Sequence, residues 1–393
     1  MKKYFILAVA AVVALAACSK TEADKTAFEQ NRVINFNTVT KKATKAPISG
    51  PVYTSDLPAF GVFAYYLASG NWNTTAANSS AVSYMSDVEV AFDDDLDIWA
   101  PSTTYYWPLE GNLTFIAYSP KTAATATFSN AGVLTLTGFT VNTTVASQVD
   151  LLYSAIAADK TQNESYYVDS AHSQNSETAE GDKGVNIVFK HALSQVIFKA
   201  KTADDVYAAG LSFKINSITV NAASTATSMT VTNPTTSDAA ADITTWNAPA
   251  SPANYLVNTT AYPNATVATG AANFLTNTLA PATAGEGIGD PLLMIPSKAE
   301  VTPATNPVSY TFANDPTVTI NYTLYRLSDA QALGSNEVTV HFNEINDVVK
   351  CWEAGKKYVY NLTIDLQKIY FNPSVEPWED GGSQDVDVPD DAA

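Results

Sequence analysis

The sequence predicts an all-β protein built as two tandem β-sandwich domains. Three observations carry this prediction. Apolar residues recur at every second position in several segments, charged residues are only 15% of the chain while hydrophobic ones reach 46%, and convincing helical stripes are nearly absent. The abundant remainder of Thr, Ser, Asn and Ala suits short pleated strands joined by polar turns.

In chain order, the first strand is expected over 33–39, where Ile34, Phe36 and Thr38 share one face and Val33, Asn35, Asn37 and Val39 the other. Further strands are expected over 59–66, 113–118, 185–189, 195–200, 212–220, 292–295, 317–325 and 337–342. The clearest follows: Tyr358, Tyr360, Leu362, Ile364 and Leu366 alternate with Val359, Asn361, Thr363 and Asp365, a half-buried strand with one wet face. Gly and Pro punctuate the intervals, as at Ser49-Gly50-Pro51 and Asn306-Pro307. Residues 222–284 are rich in Ala, Thr, Ser, Asn and Pro and read as long surface loops with a few embedded strands. A domain boundary is expected between the polar segment 173–183 and the strand that begins at Val185.

The N-terminus has the layout of a secretory signal. Lys2 and Lys3 precede an apolar run from Tyr4 to Ala17, which is shorter than the roughly 20 apolar residues of a membrane span. Leu15-Ala16-Ala17-Cys18 resembles the lipobox of bacterial lipoproteins, which implies cleavage before Cys18 and a diacylglyceryl group on its thiol. Each buried methylene of such chains contributes about 0.8 kcal/mol, so two or three chains anchor a protein stably. Ser19 and Lys20 follow Cys18, and no aspartate comes immediately after it as an inner-membrane retention signal requires. The expected location is therefore the cell outer membrane, on its surface.

Without Lys2 and Lys3 the formal charge moves from −18 to −20. Such acidity argues against nucleic acid as a partner and against electrostatic adhesion to anionic lipid. With Cys18 lipidated, Cys351 is the one remaining thiol, no internal disulfide is available, and stability must come from packing. A chain of this length suits two domains, each large enough to bury a core.

Catalysis needs convergent groups, and the inventory is thin: three histidines, at 172, 191 and 341, one free thiol, no metal-cage spacing and no nucleophile or phosphate-loop motif. The expectation is a non-enzyme without cofactor or metal. His191 reads as a packed structural histidine and Cys351 as a small buried hydrophobe. Asp93-Asp94-Asp95-Leu96-Asp97 offers hard oxygen ligands for calcium, but without the spaced ligands and glycine of a calcium loop it reads as a solvated acidic turn. Trp72, Tyr105, Tyr106 and Trp107 have two readings, core packing and glycan stacking on exposed rings.

Several segments then carry a resemblance. Tyr105-Tyr106-Trp107-Pro108 followed by Leu113-Thr114-Phe115-Ile116-Ala117-Tyr118-Ser119-Pro120, then His191-Ala192-Leu193-Ser194-Gln195-Val196, Leu293-Met294-Ile295-Pro296, the run from Trp352 to Leu362, and Val375-Glu376-Pro377-Trp378 come in one order. Together they resemble the fimbrillin-like proteins of Bacteroides and relatives. The resemblance implies two transthyretin-like β-sandwich domains and a subunit of a type V pilus, exported as a lipoprotein and contributing to adhesion. Its implied partners are other fimbrial subunits in a homo- or hetero-polymer, the outer membrane through the lipid on Cys18, and a maturation protease.

In such proteins a trypsin-like protease removes the first strand and a neighbour's strand fills the groove. Carried onto this chain, the released strand is 33–39 and the cut follows Lys45 in Thr44-Lys45-Ala46, where many relatives have arginine. A strictly Arg-specific protease would have to use Arg32, which leaves the strand in place. The implied segments are a signal peptide (1–17), a removable lipidated segment (18–45), an N-terminal sandwich (46–184), a C-terminal sandwich (185–367) and a C-terminal segment (368–393) holding the donor strand and an acidic tail. Asp169-Ser170-Ala171 also resembles an O-glycosylation sequon of these bacteria. A rival expectation is a surface lipoprotein that binds glycans or host ligands and does not polymerise.

Overall fold

The computed structural model describes residues 33–39, 58–94, 98–161, 184–235, 238, 243–257, 274–279, 287–300, 309–345 and 349–378. Cys18, Lys45, Asp169-Ser170-Ala171 and the acidic tail lie outside these residues. Among the described residues regular structure is almost entirely strand, in keeping with tandem β-sandwiches.

The first sheet contains β1 (Phe36–Val39), β2 (Phe60–Leu67), β3 (Val82–Asp93), β4 (Ile98–Pro101) and β5 (Asn112–Ser119). The hairpin β6 (Thr125–Phe128) and β7 (Val133–Thr137) leaves this sheet, and β8 (Leu152–Ser154), β9 (Ala157–Lys160) and β10 (Val185–His191) return to it. The order β2-β3-β4-β1-β10-β8-β5 closes through a β2–β5 pairing, with β9 added on β5. The sheet is thus a hydrogen-bonded ring of seven strands, and closure leaves those strands no free edge.

Inside the ring sits a compact core that includes Phe36, Phe60, Trp99, Trp107, Phe115 and Phe189. The other faces of β2 and β5 are also covered, since Phe63, Ile116 and Tyr118 pack into a second, larger core. This explains why β5 reads as Leu-Thr-Phe-Ile-Ala-Tyr with no polar alternation: every one of its residues is buried.

The remaining strands are β11 (Ser194–Thr202), β12 (Leu211–Thr225), β13 (Ser228–Thr232), β14 (Thr244–Asn247), β15 (Ala250–Val257), β16 (Leu292–Met294), β17 (Ala299–Glu300), β18 (Tyr310–Thr311), β19 (Thr317–Arg326), β20 (Gln331–His341), β21 (Lys356–Ile364) and β22 (Ile369–Pro377). Two short helices, Asp204–Ala208 and Phe342–Ile345, interrupt them. The sheets β16-β11-β21-β22 and β15-β12-β19-β20 share the larger core through residues such as Phe198, Tyr360, Leu362, Ile218, Val318 and Ile320.

A fourth sheet, β14-β13-β7-β6, joins a hairpin from each half of the chain. β10, placed by sequence after the domain boundary, pairs with β1 and β8 in the ring. Hydrogen bonding therefore runs through the expected break at 184/185. The stretch after 222, expected to consist mainly of surface loops, also supplies core: Met229, Val231, Tyr255 and Val257 are fully buried. Their large side chains are few, but they alternate on strands and all face inward.

The run from Trp352 to Leu362 is a packing device. Trp352 is fully buried against Phe312 and Phe342, and its indole N–H donates to the Tyr360 hydroxyl at 3.0 Å. Gly355, at φ +67°, turns the chain into β21 and donates its N–H to the Leu193 carbonyl at 2.9 Å. On β2, an added Cβ at Gly61 would lie 2.3 Å from the Tyr118 ring and 2.9 Å from Asp87. Tyr118 donates to that carboxylate at 2.7 Å and Lys121 pairs with it at 2.7 Å, so neither neighbour yields readily. Gly61→Ala is expected to lower stability by about 1–3 kcal/mol, read as a shifted urea midpoint with an unchanged slope.

Candidate functional site

The candidate site is the slot that β1 occupies. Ile34 and Phe36 are fully buried and point into the ring core two residues apart, as one face of a strand must. The Phe36 ring meets Phe60 and Phe115 edge-on, with centroids 6.1 and 5.6 Å away. Phe60 in turn packs on Trp99 at 5.2 Å and Phe189 at 5.5 Å, and Phe115 on Trp107 at 5.9 Å, so the slot ends in an aromatic cage.

The backbone of β1 is held asymmetrically. On one side it runs parallel to β10 in the register Phe36↔Val185 to Val39↔Val188, and the Val185 N–H donates to the Asn35 carbonyl at 2.8 Å. On the other side Phe36↔Trp99 is the single registered pair with β4, and the Ile34 N–H reaches the Tyr105 carbonyl at 2.8 Å. Gly184 makes the close approach possible: it has φ +117°, and a Cβ there would lie 2.4 Å from the Asn35 carbonyl oxygen. Both sequence neighbours of this strand, 1–32 and 40–57, lie outside the described residues.

The opposite end of the chain supplies β22. It pairs antiparallel with β21 from Lys356↔Pro377 to Ile364↔Ile369 and forms the edge of its sheet. Ile369 and Phe371 pack against the larger core, while Tyr370 and Val375 are each 46% exposed. Pro373 and Pro377 remove two of the N–H groups an edge would otherwise present.

A clasp closes β22. Trp378 lies flat on His191, with ring centroids 3.7 Å apart and planes 9° from parallel, and His191 Nδ1 bonds Asp150 Oδ2 at 2.8 Å. The three side chains are buried, and they join the last strand of the second half to the ends of two ring elements. Neither Asp150 Oδ1 nor the Trp378 indole N–H has a hydrogen-bond partner among the described residues. His191 is the packed histidine expected from sequence. Asp150, 41 residues away in sequence, carried no local signal that would have found it.

Trp72 and Trp107, offered by one reading as glycan platforms, are core residues. Tyr105 is half-buried beside Tyr84, leaving Tyr106 as the exposed ring of the four. His341 is exposed and pairs with Asp315 at 2.8 Å. Among the described residues no group of three or more His, Cys, Asp or Glu converges to hold a metal. Cys351 is partly buried, and burial foremost, with Glu353 adding, pushes its thiol up to about 11. A thiol so shifted is protonated and unreactive at neutral pH.

Two outcomes follow from this geometry. Trp378→Ala removes the clasp, a truncation of about 3–5 kcal/mol at a buried aromatic. Hydrogen exchange across residues 369–377 is expected to quicken by about a hundredfold or more while the ring strands keep their protection. Reaction of Cys351 with a thiol reagent is expected to climb until about pH 11 instead of levelling near 9, and at pH 8 to run about a hundredfold slower than for an exposed thiol.

A curated relative, fimbrium subunit Fim1C of Phocaeicola vulgatus, is 29% identical over 119 residues, 29% of this chain and 30% of the relative. The chain thus matches less than a third of that relative's length. The crystal structure of a fimbrial protein from Bacteroides vulgatus shares the fold with a TM-score of 0.54 at 19% identity, covering 88% of this chain and 100% of that one. The tip fimbrial protein Mfa3 from Porphyromonas gingivalis aligns with a TM-score of 0.36 at 8% identity, over 88% of this chain and 100% of that one. The model of the family described as Fimbrillin-like matches residues 44–378, from just before Lys45 to the clasping Trp378, and the chain belongs to that family.

Proposed function

We propose that this chain is a structural or accessory subunit of a cell-surface fimbria, assembled by protease-triggered strand exchange and contributing to adhesion. The observation that carries the reading is β1 itself. A four-residue strand closes a seven-stranded ring, fully buried Phe36 and, two residues before it, Ile34 seat it, and its contact with β4 is a single registered pair. Taking β1 out would uncover an aromatic-lined slot flanked by unpaired edges of β4 and β10. Backbone groups of an incoming strand would satisfy those edges, and alternate side chains would refill the cage.

The same reading assigns lipidation to Cys18, which holds the precursor at the outer membrane, and the maturation cut to Lys45. A cut there severs β1 from the rest of the chain, whereas a cut at Arg32 would keep it attached through residues 40–57. The partners are other fimbrial subunits and the maturation protease, and no catalytic role is assigned. Buried Trp72 and Trp107 weigh against the glycan-binding alternative.

The reading is tested on purified precursor treated with a trypsin-like protease. The expected result is a new N-terminus at Ala46, loss of the 18–45 segment, and SDS-resistant ladders that collapse on heating. Surface-extracted protein that retains the 18–45 segment throughout would overturn polymerisation by this route.

A further inference from the structure

Beside the edge strand β22 lies a cleft of about 660 Å³, within the roughly 300–1,000 Å³ typical of small-molecule sites. β18 brings Tyr310 to it, the segment before β21 brings Lys350 and Glu353, β21 brings Lys356 and Tyr358, and β22 brings Val375. Its walls are fixed. Ser297 and Trp352 exchange backbone hydrogen bonds at 2.9 and 3.0 Å, the Ser194 hydroxyl donates to the Glu353 carbonyl at 2.8 Å, and Trp352 packs on Phe312 and Phe342. The cleft is therefore held in shape before anything enters it.

Its charge runs against that of the chain. The protein carries a formal charge of −18, yet the lining combines Lys350 and Lys356 with a single carboxylate, Glu353. That carboxylate is already engaged, since Lys298 Nζ lies 2.6 Å from Glu353 Oε1 and 4.1 Å from the centre of the Tyr310 ring. Lys356 is half-buried and pairs with no carboxylate among the described residues. Tyr358 adds a buried donor. It is 2% exposed, and its hydroxyl oxygen accepts the Glu353 N–H at 2.8 Å, which leaves the phenolic proton without an acceptor among the described residues. Burial foremost pushes this phenol up, so it keeps the proton.

We propose that this cleft binds a sugar acid, a pyranose bearing one carboxylate, as in a uronic acid. Lys350 and Lys356 meet the carboxylate through charge-assisted hydrogen bonds. The Tyr358 phenol and the hydroxyls of Ser309, Tyr310 and Thr311 meet the ring hydroxyls. Other small anions suit the lining less well. A fatty acid needs an apolar tunnel, and Val349 and Val375 are the aliphatic residues that line the cleft. An amino acid needs an anion for its ammonium, and Glu353 is taken by Lys298. A polyphosphate brings several charges into the field of an acidic protein, whereas a singly charged ligand feels little of that repulsion. The site is independent of strand exchange. It works through charge and hydroxyls, without the exposed indole platforms that buried Trp72 and Trp107 do not offer.

The test uses the full, uncut chain carrying Cys18→Ser, in which Cys351 is the one thiol left. That thiol lines the cleft and reports on its occupancy. D-glucuronate, D-glucose and acetate are titrated by calorimetry, and the alkylation of Cys351 by iodoacetamide is followed at each concentration. Saturable glucuronate binding that slows alkylation in step is expected. Glucose lacks the carboxylate and acetate lacks the ring, so each is expected to bind at least about tenfold more weakly. Lys356→Gln is expected to weaken glucuronate by about tenfold or more, the effect of one lost charge-assisted hydrogen bond, with the urea midpoint unchanged. Lys368→Gln is the control, because Lys368 stands over Tyr370 at the other end of β22, and it is expected to leave binding as it was. Acetate binding as tightly as glucuronate reduces the cleft to a bare anion site and overturns the sugar assignment. Glucose binding as tightly overturns the role of the lysines. Absence of saturable binding, or binding that leaves alkylation unchanged, overturns the site itself. Each of these outcomes leaves strand exchange standing, since that is read on cut protein.

Discussion

The Phe36 ring, seated edge-on between Phe60 and Phe115, holds the only strand that bridges β4 and β10. Every other strand of the ring is secured by a covalent neighbour of ordinary loop length or by longer pairings. β1 has short pairings and depends on its side chains. Burying a large apolar side chain is worth about 1.5–3 kcal/mol, so Ile34 and Phe36 together supply a stabilisation comparable to much of a domain's net stability. The ring is therefore closed by an element whose hold is mostly hydrophobic and localised at two positions.

Non-directional apolar contacts fix little beyond size and spacing, whereas the ladder with β10 fixes direction and register. Two buried apolar side chains and a four-residue ladder with β10 thus define the seat of β1 by spacing and by direction. The rest of the ring is tied into the second half by the shared sheet β14-β13-β7-β6 and by a core common to both, so its support does not come from β1 alone.

The C-terminal strand shows the complementary compromise. It must be kept from joining foreign edges, and its two prolines, its long pairing with β21 and its clasp on His191 do this. Asp150 and Trp378 each retain a buried polar atom without a partner, a cost that an apolar closure would have avoided.

Much of this was legible in the chain. Alternation located β1 and β21, where the period-two signal survives, and β10, β12 and β19 were also expected as strands. β2 and β5 were legible as apolar runs, being covered on both sides. β3 was not, since most of its residues are exposed and no stripe marks it. The sequence by itself determined the strand chemistry and the family to which the ordered motifs belong. Tertiary structure alone decided that β10 closes the ring of the first half, that Trp72 and Trp107 are core and not platforms, and that Asp150, His191 and Trp378 meet. The physical reason is the same in each case: local sequence specifies which side chains share a face, while the partner of that face comes from strands far away along the chain.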